Sequence, residues 1–199
     1  MNFETIKQLT NKSILTIDEI KMILDYIVNV IKSKLDINDT YTRLCKESSM
    51  AVWSLCERLN IPYIAINTGG IGMSELEHHF GITGFQTEYG QICFLLDLTY
   101  IQFTQNTYPI NLKKQKRTKL VSSPGNFISE ENKKQLLESR YLTLTEQNFD
   151  DYISSFIESY RLANPVDERI VYDEAYTILQ NNNINFTDTD YLKNQGIAY

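Results

Sequence analysis

The chain has few cysteines and no long apolar run, and these two features bear on its cellular compartment and on its relation to membranes. Its 199 residues include three cysteines, an odd number, and no two of them form a CxxC pair. This pattern favours reduced thiols in a cytoplasm over a disulfide framework. No apolar run approaches the roughly 20 residues that span a bilayer, and the first residues lack the basic and apolar segments of a secretory signal. We therefore expect a cytoplasmic protein without a membrane partner.

The chain is also short of positive charge. It has 19 Lys and Arg residues against 25 Asp and Glu residues, which gives a net charge of -6. Phosphate binding depends on an excess of Lys and Arg, so we expect no nucleic-acid partner. The hydrophobic share of 42% and the aromatic share of 12% are typical of a globular protein. A chain of this length forms a core without disulfides, and we expect one domain over residues 1–199.

Hydrophobic periodicity predicts an α+β order, in which helices flank a small antiparallel sheet. Residues 1–35 are predicted to be helical, with a capping box from Thr16 to Glu19. A further helix is predicted from Cys45, and residues 104–125 are predicted to be mostly irregular. The predicted strands are 63–67, 79–86 and 91–97, and the predicted helices of the last third are 130–139, 146–162 and 166–180.

A thiol, an imidazole pair and a carboxylate follow one another in an order that suits nucleophilic catalysis. Cys45 opens a predicted helix, and His78 and His79 open a predicted strand. Asp97 ends the next predicted strand. A free thiol titrates near pH ~8.5, and both a helix N-terminus and a nearby imidazolium favour the thiolate. An acid on the neighbouring strand would hold the imidazole in the correct tautomer. The order predicts a Cys-His-Asp triad that performs acyl transfer.

The stretch over residues 40–103 resembles the papain-like and transglutaminase-like cysteine peptidase superfamily. Cys45-Lys-Glu-Ser-Ser followed by Leu59-Asn-Ile resembles the nucleophile helix that runs into a first strand. Leu96-Asp-Leu-Thr with Gln102-Phe103 resembles the strand end that carries the acid in bacterial members. The resemblance implies a core over 40–103 in which the nucleophile starts a central helix packed on a small antiparallel sheet. Residues 1–35 are then a helical N-terminal part, and 104–199 a loop and helical C-terminal part.

Two assignments within this pattern stay open. The superfamily pattern His-x-aromatic selects His78, with Phe80 two residues on, whereas His79 lies more clearly within the predicted strand. The oxyanion of a tetrahedral intermediate also needs donors. The backbone N–H of Cys45 is one candidate, and the side chain of Asn38 is a second. The side-chain donor of the superfamily, often Gln, has no clear match upstream of Cys45.

Other features have ordinary structural interpretations. Cys56 and Cys93 lie among Leu and Phe and are predicted to be buried apolar residues. Thr68-Gly-Gly-Ile-Gly lacks the spacing of a dinucleotide loop, so a flexible loop beside the substrate is the better interpretation. The basic run 113–119 is predicted to be a solvated loop, with docking of an acidic partner as the alternative. No set of ligands with metal-site spacing accompanies the histidines, and we expect no metal and no other cofactor.

The sequence therefore predicts a thiol-dependent acyltransferase or hydrolase acting on a dedicated intracellular protein, peptide or carrier-bound acyl substrate. Its reaction is amide hydrolysis, deamidation or amide-bond formation, the last possible from a carrier-protein thioester in natural-product biosynthesis. A triad does not choose among these acceptors. The first alternative is a catalytically dead relative that binds a peptide or protein. The second is an interaction protein whose helical Tyr152, Phe156 and Tyr160 form a partner surface.

Overall fold

Helices surround a four-stranded antiparallel sheet, so the chain is α+β as predicted. The structure is a computed structural model that describes residues 2–37, 43–112 and 116–194. Its helices are α1 (Phe3–Thr10), α2 (Ile17–Lys34), α3 (Cys45–Arg58), α4 (Glu130–Ser139), α5 (Glu146–Arg161), α6 (Glu168–Asn181) and α7 (Thr189–Asn194). Its strands are β1 (Tyr63–Asn67), β2 (His79–Thr87), β3 (Gly90–Leu96), β4 (Thr107–Leu112), β5 (Arg117–Ser122) and β6 (Tyr141–Thr143). The sheet has the order β1-β2-β3-β6, while β4 and β5 pair separately.

Two helices that precede the sheet begin in different ways. The predicted capping box starts α2, because the N–H of Glu19 donates to the hydroxyl of Thr16 and the N–H of Thr16 donates to the Glu19 carboxylate. Helix α3 begins at Cys45, and Leu44 in the cap position provides no side-chain acceptor. The first N–H groups of any α-helix lack an acceptor within the helix. Those of α3 therefore leave positive potential beside Cys45.

Small residues allow α3 to pack closely on the sheet. Ser48 and Ser49 are buried in the first turns of the helix. The hydroxyl of Ser49 lies 3.1 Å from that of Tyr63 on β1. The Tyr63 ring in turn lies over Gly81 of β2, where any Cβ atom would overlap the phenol. Gly81 therefore provides the space for the tyrosine that connects the sheet to α3.

Both faces of the sheet are covered by apolar side chains, and successive strand residues alternate between two clusters. One cluster joins α1, α2 and α3 to the sheet through Phe85, Ile92, Phe94 and Leu96. The other cluster joins α5, α6 and the β4–β5 pair to the sheet through Phe80, Ile82, Cys93 and Leu95. Cys56 and Cys93 are fully buried, as predicted, and burial raises the pKa of each thiol to about 12.

Two predictions for residues 104–125 are wrong. Residues 104–125 are not mostly irregular, because β4 and β5 form an antiparallel hairpin with Thr107 opposite Ser122 and Leu112 opposite Arg117. Four of the six β5 residues are exposed, so the strand lacks the alternation that marks a half-buried strand. Within the basic run, Arg117 and Lys119 belong to this strand rather than to a loop, and residues 113–115 lie outside the described residues.

The alternative hypothesis of a partner surface on α5 is contradicted by the burial of its three aromatic residues. Tyr152 and Phe156 are completely buried, and Tyr160 is 5% exposed. All three belong to the apolar cluster between α5 and the sheet. These aromatic side chains therefore stabilise the fold instead of offering a docking face, and Tyr152 and Phe156 also contact His78. In the described ranges, no helix is long and apolar enough to cross a membrane.

Candidate active site

The ends of three elements meet at the candidate site. Gly81 of β2 lies opposite Leu96 of β3, so His78, directly before β2, and Asp97, directly after β3, lie at the same end of the sheet. Nε2 of His78 is 2.7 Å from Oδ2 of Asp97. Both side chains are fully buried. The pair therefore forms a hydrogen bond that is shielded from water, where it is stronger than at the surface.

Cys45 approaches the same imidazole from the start of α3. The thiol is close enough to hydrogen-bond His78 and to influence its charge. It is 8% exposed and lies in the wall of a cavity of about 460 Å³. Other walls of this cavity come from Gln102 and from the β4–β5 hairpin, which contributes Tyr108 and Thr118 among others. The thiol is thus the member of the group that faces a space large enough for a substrate.

The electrostatic environment of His78 favours its charged form. Burial by itself lowers the pKa of this histidine, but the charge and hydrogen bond of Asp97 oppose that effect. The thiol of Cys45 adds to the effect of Asp97, and the pKa of His78 rises to about 9. The ring therefore holds its proton through the neutral range. An imidazolium in that range is the counter-ion that a cysteine thiolate requires.

Asp97 is held by donors on all sides. Oδ2 accepts from His78 and from the hydroxyl of Tyr152, each at 2.7 Å. Oδ1 accepts from the backbone N–H of Thr99 at 3.1 Å and from its hydroxyl at 3.3 Å. Both carboxylate oxygens thus have hydrogen-bond partners, as buried polar groups require. The arrangement fixes the acid in one orientation relative to the imidazole.

Aromatic rings enclose His78 and leave only its nitrogen atoms to polar partners. Phe156 stacks on the imidazole with a centroid distance of 5.3 Å and an interplanar angle of 15°. Phe103 meets it edge-on at 4.7 Å. The second ring nitrogen, Nδ1, is 2.9 Å from Nε2 of Gln102, a side chain that is 1% exposed. The ring is therefore fixed in position by packing and by a partner at each nitrogen.

The structure separates the two candidate histidines, and His79 is not placed for the triad. Nε2 of His79 is 3.1 Å from the amide nitrogen of Asn67 and 3.8 Å from a Glu77 carboxylate oxygen. Burial and the charge of His78 lower the pKa of His79. Because Gly81 pairs with Leu96, Phe80 lies opposite position 97, and the alternation of strand residues puts His78 rather than His79 on the face of Phe80 and Asp97. The oxyanion candidate Asn38 lies outside the described residues.

Sequence reasoning missed two contributors. Tyr152 matched the apolar stripe of α5, and nothing local indicated that its hydroxyl reaches Asp97. Gln102 stood in the stretch that resembles the superfamily, but its contact with His78 depends on the fold. The glycine-rich loop contains a 3-10 turn over Thr68–Ile71, in which Thr68 and Ile71 are buried. Within the described residues, no group of three or more His, Cys, Asp and Glu side chains is arranged to hold a metal.

Replacing Tyr152 by phenylalanine should lower the free energy of unfolding by about 1.5–3 kcal/mol, because Asp97 then loses one of its buried donors. Burial and the charge of Asp97 raise the pKa of Tyr152 well above its usual value, so its hydroxyl remains a donor. Urea unfolding at neutral pH measures the loss. Tyr176→Phe is the matched control, because that hydroxyl donates at 2.8 Å to the less buried Asp150. An equal loss in both variants would contradict a special role for Tyr152.

Comparison of the chain with protein-family models, with curated proteins and with solved structures finds no match in any of the three. The functional interpretation therefore depends on the geometry of the site. That geometry combines a thiol at a helix N-terminus, a buried imidazole and a fully hydrogen-bonded acid. Such a set can activate a nucleophile, transfer its proton and hold the base in one orientation.

Proposed function

We propose that this chain is a cysteine-nucleophile acyl-transfer enzyme, in which Cys45 is the nucleophile, His78 the general base and Asp97 the orienting acid. One observation carries the proposal. His78 is hydrogen-bonded to Asp97 at 2.7 Å, and the thiol of Cys45, which lines the cavity, is a second partner that raises the pKa of the same ring. A purely structural ion pair has no need for a thiol at its exposed end, whereas a triad requires one. The partial positive charge at the start of α3 adds to the activation of the thiol.

The reaction follows from the positions of these groups. The Cys45 thiolate attacks a carbonyl carbon of the substrate, and His78 holds the proton that the thiol has given up. The imidazolium then donates that proton to the leaving group, and a thioester acyl-enzyme forms. Asp97 keeps the proton on Nε2 of the imidazole, so that Nδ1 exchanges the proton on the cavity side. Water or an amine then attacks the thioester and releases the acyl group.

For the fold of this core we propose the papain-like and transglutaminase-like arrangement. The support is that α3 starts at Cys45 and packs on antiparallel strands whose neighbouring ends carry His78 and Asp97. The α5 helix contributes Tyr152 to the site, so the C-terminal part belongs to the same functional unit. A protein, peptide or carrier-bound acyl donor is proposed as substrate. Its reaction is hydrolysis, deamidation or amide formation, and the cytoplasm is the proposed compartment.

The first test is alkylation of each cysteine by iodoacetamide as a function of pH, followed by site-resolved mass spectrometry. We expect iodoacetamide to alkylate Cys45 faster at pH 6 to 7 than it alkylates an ordinary free thiol. The reason is that His78, with a pKa raised to about 9, stays protonated there and stabilises a thiolate. His78→Ala should move the reaction of Cys45 upward in pH, because the imidazolium is then lost.

Two controls accompany this test within the same chain. Cys56 and Cys93 are fully buried and should stay unmodified in folded protein, so their protection reports on folding in every sample. His79→Ala should leave the pH profile of Cys45 unchanged, because His79 contacts Asn67 and Glu77 instead. Ordinary thiol behaviour of Cys45 in the wild type would sink the proposal. The chain would then fit the alternative of a dead relative that binds a peptide or protein.

A further inference from the structure

Gln102 occupies the nitrogen of His78 that the proposed reaction uses. Its Nε2 lies 2.9 Å from Nδ1, while Nε2 of the imidazole belongs to Asp97. Gln102 is 1% exposed, yet it lines the same cavity as Cys45. The side chain is thus packed on one side and faces the substrate space on the other. Gln102 lies within the 3-10 turn Tyr100–Phe103, which begins three residues after Asp97 and sets the direction of the glutamine side chain.

The donor and acceptor roles at this contact change with the charge of the ring. An amide nitrogen only donates, so this contact belongs to the form that precedes proton transfer, in which Cys45 is a thiol, Nδ1 accepts and the neutral ring carries its proton on Nε2. Once Nδ1 takes a proton, two donors face each other at 2.9 Å. The carboxamide must then turn and present Oε1 to the new N–H. The same rotation turns the two N–H donors of Gln102 away from the ring.

We propose that this rotation makes Gln102 the side-chain oxyanion donor, a further catalytic residue that binds the negative oxygen of the tetrahedral intermediate. The inference rests on the proposed function, because it requires a substrate carbonyl at Cys45. In this arrangement one carboxamide accepts from the His78 imidazolium and donates into the cavity at the same time. The donor thus comes from a position downstream of Asp97, whereas the sequence offered only Asn38 upstream of Cys45.

The step conserves protons and electron pairs. The proton of the Cys45 thiol passes to Nδ1 of His78, and the sulfur electron pair forms the S–C bond. The π pair of the carbonyl moves to oxygen, where the Gln102 N–H and the backbone N–H of Cys45 stabilise the charge. When the intermediate collapses, the leaving group departs with the proton from Nδ1. In the thioester the neutral ring accepts from Gln102 again, and it becomes the imidazolium when it takes the proton of the attacking water or amine and the Cys45 thiolate departs.

Two reagents separate this role from simple positioning of His78. Iodoacetamide alkylates a thiolate by displacement and forms no oxyanion, whereas p-nitrophenyl acetate acylates through a tetrahedral intermediate. Gln102→Glu keeps the shape and accepts from the imidazolium, but the carboxylate cannot donate to an oxyanion. Gln102→Ala removes both functions. In each variant we expect the ratio of acylation rate to alkylation rate at Cys45 to fall about 100-fold, the size of one lost oxyanion donor.

The controls cover background reaction, mutation and folding. Cys45→Ala gives the background with p-nitrophenyl acetate, and Gln180→Ala changes an exposed glutamine on α6. Protection of Cys56 and Cys93 from iodoacetamide shows that each variant is folded.

Three results would overturn the inference. Equal losses in both reactions would make Gln102 a positioning residue, and unchanged rates in both would remove it from the mechanism. In wild-type protein, a Cys45 that alkylates at low pH but is not acylated would defeat the acyl-transfer proposal itself, and the inference with it. The first two results leave that proposal standing, so the two kinds of failure are distinguishable.

Discussion

Replacing Asp97 by asparagine should slow acylation of Cys45 by p-nitrophenyl acetate roughly 10²- to 10⁴-fold at neutral pH. Asparagine offers one acceptor oxygen where the carboxylate offers two. With the oxygen turned to the two Thr99 donors, the amide N–H₂ faces Nε2 of His78. The ring must then accept at Nε2 and carry its proton on Nδ1. In that tautomer it cannot take the proton of the thiol.

The charge of His78 changes in the same direction. Burial lowers the pKa of this histidine, and Asp97 is the main group that opposes burial. Without the carboxylate, the imidazolium is lost at lower pH, and the thiolate loses its counter-ion in the neutral range. We therefore expect alkylation of Cys45 by iodoacetamide to shift upward in pH together with the loss of acylation. The rate of acylation thus reports the tautomer of the His78 ring, and the pH profile of alkylation reports its charge.

Asp150→Asn is the matched control for this experiment. Asp150 lies on α5 and accepts from the hydroxyl of Tyr176 at 2.8 Å, as Asp97 accepts from that of Tyr152. It has no imidazole partner among its described hydrogen bonds, so the control should keep the wild-type rates. Urea unfolding of both variants separates loss of stability from loss of reactivity. A rate for Asp97→Asn within about threefold of wild type would remove Asp97 from the proposed triad.

The elements that could be predicted are those with local signals. The capping box at Thr16 and the break after Leu59 depend on residues a few positions apart, and α2 and α3 end or begin close to the predicted places. The strands 79–86 and 91–97 were predicted within one residue of β2 and β3. In contrast, β6 has only three residues, and its pairing with β3 is a long-range contact. Periodicity cannot reveal so short a strand.

The candidate site shows the same division between local and long-range information. The order of Cys45, the histidines and Asp97 is visible in the sequence, and the structure brings three of them together. The choice between His78 and His79 depends on the register of β2 against β3, because neighbouring residues of a strand point to opposite faces of the sheet. Tyr152 lies 55 residues from Asp97 along the chain, so no local pattern could assign its hydroxyl to the acid.

Replacing Gly81 by alanine should lower the free energy of unfolding by about 3 kcal/mol, at the upper end of the usual cost of overpacking. The added Cβ atom would overlap the ring and hydroxyl of Tyr63, which lies across β2 at this position. Tyr63 is itself fixed by its 3.1 Å contact with Ser49 on α3. Relief of the overlap therefore displaces either the tyrosine or the helix that begins at Cys45. For a chain of this size the loss corresponds to a fall in melting temperature of about 6–12 °C.

The consequence for the site distinguishes this variant from a simple packing defect. If Tyr63 moves together with α3, the thiol moves relative to His78, and alkylation of Cys45 near neutral pH should slow in protein that is still folded. The double variant Gly81→Ala with Tyr63→Leu removes the phenol that the new methyl group meets. It should recover part of the lost stability, so the two substitutions should couple in a double-mutant cycle.

Gly70→Ala is the matched glycine control, because a Cβ atom at Gly70 meets nothing within 4 Å. This variant should be as stable as the wild type or slightly more so, since alanine restricts the unfolded chain. Melting temperature and urea midpoints measure both variants, and protection of Cys56 reports the folded fraction. Equal stability of Gly81→Ala and Gly70→Ala would show that β2 does not need the space at Gly81. The position of α3 relative to His78 would then depend on contacts other than the one between Tyr63 and Ser49.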